Sequence, residues 1–91
     1  MLERHIEKPV CNFAKKNGIM PIKFRDPGRA GAPDRLFLCK SAEVFFIEFK
    51  KPGEVPKKHQ LAYHAELKKL GFTVYVVDSV EYGKECVENH I

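Results

Sequence analysis

Asp34, Glu48 and Lys50 are the residues of this 91-residue chain whose types and spacing point to chemistry. They lie in "APDRLFLCKSAEVFFIEFKKPG", residues 32–53, where two hydrophobic runs flank a short polar turn. The pattern reads as a β-hairpin with strands over 34–39 and 43–50. Side chains alternate faces along a strand, so Val44, Phe46, Glu48 and Lys50 share one side, and Asp34, Leu36 and Leu38 likewise share one. Pairing Leu38 with Val44 sets Leu36 against Phe46 and Asp34 against Glu48. Directly opposed Cβ atoms are about 4.5–5.5 Å apart. Two carboxylates at that separation repel, and one is pushed to protonate unless a cation lies between them. Their hard oxygens suit Mg²⁺ or Mn²⁺. Lys50, one pleat beyond Glu48, would orient an attacking water or offset charge building on a phosphate. A metal, a positioned water and a cation together form an apparatus for phosphodiester hydrolysis. A slip of one residue in register would separate the carboxylates and leave Glu48 and Lys50 as an exposed ion pair at a strand end.

The elements that must position these groups follow from the hydrophobic pattern. Leu2, Ile6, Val10, Phe13 and Ala14 recur at helical spacing over residues 2–17, and Gly18 is a natural stop. Pro9 lacks a backbone donor and is expected to kink that helix or restart it. "IMPIKF" (19–24) reads as a strand whose Pro21 suggests an edge or an irregular start. The Gly/Pro/Arg loop 25–33 and the hairpin follow. A helix over 57–70 stops at Gly71, and the almost continuously apolar "FTVYVV" (72–77) predicts an interior parallel strand. Asp78 or Ser79 is placed to cap a last helix running to about residue 90. The order is α-β-β-β-α-β-α: an α/β fold with a mixed four-stranded sheet flanked by helices, and a right-handed crossover between the last two strands. Residues 1–91 read as one domain.

Further candidates surround the hairpin. Gly28 and Gly31 would let a nucleic-acid backbone approach the loop. Lys23, Arg25, Arg29 and Arg35 around it, with Lys57 and Lys58 on the second helix, are candidates for phosphate contacts, or equally a solvated basic surface. Gln60 shares a helical stripe with Tyr63, Leu67 and Leu70, and is placed to reach water or phosphate at the metal, or only solvent. Glu3 and Glu7, four apart on the first helix, each offer a third carboxylate if that helix borders the cleft. His5, His59, His64, His90 and the cysteines Cys11, Cys39 and Cys86 form no zinc spacing, and read as structural or exposed. No Gly-rich phosphate loop with a following Lys-Ser/Thr supports nucleotide hydrolysis.

Composition sets outer bounds. The chain is 44% hydrophobic and 31% charged, with no run long enough to cross a bilayer. A chain of this size buries only roughly 60% of its unfolded surface, so a dimer would help it. The N-terminal residues lack the apolar core of a signal peptide, and the odd, widely spaced cysteines fit reduced thiols, so a cytoplasmic location is expected. Net charge of +4 and a pI near 9.0 favour an anionic partner such as nucleic acid.

"GAPDRLFL", "VFFIEFKKPG" and "KKHQLAYHAELKKLGFTVYVV" together resemble the VRR-NUC (virus-type replication-repair nuclease) family of PD-(D/E)xK, or restriction-endonuclease-like, nucleases. Pro33-Asp34 and Glu48-Phe49-Lys50 stand where that signature stands, and Gln60 matches a glutamine common in the family's helix. The likeness runs from the first helix to the last strand and is to minimal stand-alone phage or bacterial members. It implies Mg²⁺- or Mn²⁺-dependent cleavage of branched or otherwise structured DNA, such as a Holliday junction, by a homodimer, with DNA repair as the setting. Asp34, Glu48 and the backbone carbonyl of Phe49 would hold the metal, Lys50 would be the catalytic lysine, and Gln60 would assist. An acidic residue of the first helix completes the family's set, here Glu3 with Glu7 in reserve. A nuclease without branch preference, or a binding module with this fold and no activity, are the alternatives.

Overall fold

The structure is a computed structural model describing residues 1–91. Its first helix, α1 (Arg4–Lys16), buries Ile6, Val10, Cys11 and Ala14 along one stripe. It passes through Pro9 without ending, so of the kink or restart expected from the sequence the restart does not occur. Pro9 deletes one intrahelical bond, to the carbonyl of exposed His5, where water can replace it. Strand β1 (Met20–Lys23) follows, then β2 (Arg35–Leu38), a short 3-10 turn at Lys40–Ala42 and β3 (Val44–Phe49). Helix α2 (Lys58–Lys69), strand β4 (Thr73–Val77) and helix α3 (Val80–Glu88) complete the chain in the anticipated order. Ser79, rather than Asp78, caps α3, its hydroxyl accepting from Tyr82 N–H at 3.2 Å.

The four strands hydrogen-bond in the order β1-β2-β3-β4, antiparallel except for the parallel pair β3-β4. Pro21 therefore sits on an edge strand, where its missing donor costs no ladder bond on the open side. β4 is the opposite edge, not the interior strand that its apolar run suggested. Helices cover both of its faces, and it is facial burial, not the number of neighbours, that makes a strand apolar throughout.

Alternation along β3 divides the core. Phe45, Ile47 and Phe49 face α1 and α3 in a cluster with Ile6, Val10, Val77 and Val87. Phe46 faces the other way, against Tyr63 and Leu67 of α2 and Val74 of β4. On α2 the buried side is Tyr63, His64 and Leu67, whereas Leu70 is 75% exposed and lies off the anticipated stripe. Gly31, read from sequence as room for a ligand, is backed by α2: a Cβ there would lie 2.6 Å from the His59 carbonyl oxygen, and its φ is +102°.

α1 and α3 meet at Gly83, where a Cβ would stand 2.4 Å from Val10 Cγ2 and 3.1 Å from Val77 Cγ1. Gly83→Ala is accordingly expected to force these helices apart and destabilise the protein by about 1–3 kcal/mol. A thermal midpoint roughly 4–8 °C lower per kcal/mol checks it; an unchanged midpoint would refute the tight crossing.

Candidate active site

The pairing of β2 with β3 sets Leu38 against Val44, Leu36 against Phe46 and Arg35 against Ile47. One further step along this register puts Asp34 opposite Glu48, as the alternation requires. Asp34 is clamped from both sides. Its carbonyl accepts from Phe24 N–H at 3.0 Å, and its Oδ2 accepts from Phe49 N–H at 2.7 Å. The carboxylate is thus fixed by the backbone of the strand that carries Glu48.

Glu48 and Lys50 are the only acidic and basic side chains in the buried core, at 3% and 7% exposure, with neutral-leaning His64 at 2%. Burial is the largest influence on Glu48, and the neighbouring Asp34 charge adds to it; its pKa is pushed up to about 8. Asp34 is also raised, first by burial, but the Phe49 amide and the bond with Glu48 oppose the shift. At neutral pH the pair therefore shares a proton, held mainly on Glu48. The Lys50 charge lowers both carboxyls, which places its ammonium within electrostatic reach of them. Its other neighbour is Glu54, 4.0 Å away and partly exposed, so the ion pair it makes there is loose.

Helix α2 supplies two more contacts. Gln60 Nε2 donates to Glu48 Oε2 at 3.4 Å, while its Oε1 accepts from Lys57 N–H at 2.8 Å, one half of a capping box. Gln60 thus ties the start of the helix to the carboxyl of Glu48. His64, one turn on, places Nε2 3.3 Å from Glu48 Oε1. Burial first, then the charges of Lys68 and Lys50, hold the His64 pKa down, favouring the neutral ring. From sequence His64 reads as structural or exposed; its spacing of four from Gln60 was the available signal, since i and i+4 share a helix face.

Of the two first-helix glutamates, Glu7 is bound to Arg35, Oε2 to Nε at 2.6 Å. Glu3, at the N-cap of α1, is half-buried and its charge acts on Glu48. Arg29 is likewise engaged, bonded to Glu66 and lying 4.7 Å above the ring of Tyr63. Lys23 and Arg25 are exposed and line, with Glu7, Phe24, Pro33 and Asp34, a cleft that opens beside the carboxylates. Lys57 and Lys58 are exposed at the start of α2.

The two carboxyls of the pair offer oxygen donors that repel when both are ionised. A hard divalent cation fits that chemistry. No helix of the chain is long and apolar enough to cross a membrane.

Comparison with known proteins gives two findings. The chain is 44% identical over 77 residues to "Putative nuclease p44" of Acyrthosiphon pisum secondary endosymbiont phage 1, covering 85% of this chain and 83% of that protein. A solved VRR_NUC domain superposes on it with a TM-score of 0.89 at 29% identity, covering 98% of this chain and 97% of that one. No family model matches the chain.

Proposed function

The chain belongs to the VRR-NUC family of restriction-endonuclease-like nucleases, and from that premise we propose that it is an Mg²⁺- or Mn²⁺-dependent deoxyribonuclease that hydrolyses phosphodiester bonds in branched DNA as a homodimer. The observation that carries this reading is the juxtaposition of half-buried Asp34 with buried Glu48 across the β2–β3 pairing, with buried Lys50 one pleat beyond Glu48.

In this reading Asp34, Glu48, the carbonyl of Phe49 and Glu3 would hold the cation. The bound cation supplies Lewis acidity toward a phosphate oxygen and toward water. Asp34 needs no rearrangement for this, because the Phe49 amide already fixes it. Glu48 must give up its shared proton, and Gln60 and His64 keep its two oxygens oriented as it does so. Lys50 offsets negative charge developing on the scissile phosphate and orders the attacking water; its burial strengthens that interaction relative to an exposed lysine.

Lys23, Arg25, Lys57 and Lys58 are the proposed phosphate contacts, since Arg29 and Arg35 are occupied by Glu66 and Glu7. Lys23→Ala with Arg25→Ala is expected to weaken DNA binding and to lower the slope of log K against log salt by about 0.9 per lost contact. Arg29→Ala should leave that slope unchanged. Equal slopes for all three proteins would refute this assignment.

The reading is tested with labelled four-way junction, flap, duplex and single strand, each with Mg²⁺, Mn²⁺ or chelator. Metal-dependent incision near the junction's branch point supports it; indifference to branching moves the function to general nicking or trimming. Binding without cleavage in every arm makes the protein a binding module. Light scattering of the free protein reports the homodimer directly.

A further inference from the structure

Three electron-pair donors meet on the far side of the sheet from Asp34 and Glu48. The turn Lys40–Ala42, with Ser41 and Ala42 at φ of 62° and 61°, doubles the chain back so that Cys39 N–H donates to the Glu43 carbonyl at 2.8 Å. Cys39 and Glu43 thus stand side by side. His90, just beyond α3, stacks its ring on Phe45 at 4.1 Å between centroids, which fixes the ring plane. The Sγ of Cys39, a carboxylate oxygen of Glu43 and a ring nitrogen of His90 all lie within 4.8 Å of one another. The ring's Nδ1 meets Glu43, and its Nε2 is 2.8 Å from the hydroxyl of Tyr75.

We propose that Cys39, Glu43 and His90 form a second metal site, selective for Zn²⁺, with Tyr75 as the group that orients the histidine. The ligand chemistry differs from that of the Asp34–Glu48 pair. Thiolate and imidazole are soft or borderline donors that favour Zn²⁺ and discriminate against Mg²⁺. Metal-ligating histidines characteristically donate their second ring N–H to an oxygen, and the Tyr75 hydroxyl is in place to accept from Nε2. That tautomer leaves the Nδ1 lone pair facing a carboxylate and a sulfur, an arrangement that calls for a cation. Three protein ligands leave one position of a tetrahedron for water.

The site is separate from the hydrolytic one. Glu43 precedes β3 and Glu48 lies near its end, five residues or roughly 16 Å apart along an extended strand, and His90 packs on the α1/α3 face whereas Glu48 faces α2. The other two cysteines cannot compete, since Cys11 and Cys86 are buried at 5% and 1% exposure. Bound zinc would tie the residues after α3 to the β2–β3 turn.

The test uses the full chain, stripped of metal and titrated with Co²⁺ as a spectroscopic stand-in for zinc. Expected are one equivalent of tetrahedral d–d absorption and a near-ultraviolet thiolate-to-cobalt band, both removed by one equivalent of Zn²⁺ and not by excess Mg²⁺. Cys39→Ser abolishes the thiolate band, Tyr75→Phe weakens zinc affinity by about 10-fold or more, and Glu48→Gln leaves the thiolate band and its displacement by Zn²⁺ unaltered. Glu43 is half-exposed, so Glu43→Gln tests ligation without threatening the fold. A folded wild-type protein with no thiolate band overturns the proposal, and so does a band that survives Cys39→Ser or zinc affinity unchanged in Glu43→Gln. In those cases His90 and Glu43 make an ion pair only.

Discussion

Lys50→Met yields a protein that still binds cation and DNA but cleaves on the order of 10²–10³-fold more slowly, the loss typical of removing one preorganised group that stabilises developing charge. Methionine is close to lysine in length and suits a site with 7% exposure, so the fold survives. Glu48→Gln differs in kind. It removes an oxygen charge from the cation's ligand set, so metal binding measured by calorimetry and cleavage fail together while DNA binding in chelator persists. The two variants separate the roles proposed for these residues. Single-turnover cleavage of the preferred substrate, with metal saturating for each variant, reads the difference. If Lys50→Met cleaves at the wild-type rate, the lysine is a structural cation that merely balances Asp34 and Glu48.

The carboxylate pair was legible in the sequence because strand periodicity is two and the hairpin turn is short. Once Leu38 pairs with Val44, every later pair follows, and the observed register agrees step by step. The element order was legible for a similar reason, since each hydrophobic period is local. What local periods leave out is side-chain choice among distant partners. Nothing in the spacing of Glu3 and Glu7 tells that Arg35 binds Glu7, or that the charge of Glu7 reaches Asp34 while that of Glu3 reaches Glu48. Nor does the loop composition tell that Glu66 takes Arg29. The helical stripe left Gln60 between the sheet and solvent, and its amide bonds Glu48 and the helix start. Cys39 and His90 lie too far apart in sequence for any zinc motif; only the stacking of His90 on Phe45 brings them together. The edge position of β4 was hidden because hydropathy reports which faces are covered and is blind to which strand lacks a neighbour.

The stability of the metal-free protein is expected to fall as pH rises from about 6.5 to 8.5. The sign follows from Glu48, whose carboxyl ordinarily titrates at 4.5 but here at about 8. Between those values the folded protein holds a proton that the unfolded chain has released, so raising the pH favours unfolding. Asp34 is shifted in the same direction, so its contribution has the same sign. His64 acts oppositely: its lowered pKa means that the unfolded chain binds the extra proton, so its contribution rises with pH up to the ordinary histidine range and is spent above 7. The Glu48 proton therefore dominates the upper part of the window, at roughly 2 kcal/mol across it, or a fall of about 10 °C in the thermal midpoint. Glu48→Gln keeps the shape and the bonds to Gln60 and His64 without an ionisable group, so its midpoint should stay nearly level over the same range and exceed that of the wild type at pH 8.5. Mn²⁺ added at pH 8 should restore the wild-type midpoint and leave that of Glu48→Gln unmoved, because only the wild type offers the ion the Glu48 carboxylate charge. Parallel pH profiles for the two metal-free proteins would mean that Glu48 is ionised in the fold at neutral pH, and that its neighbours already compensate its charge without a cation.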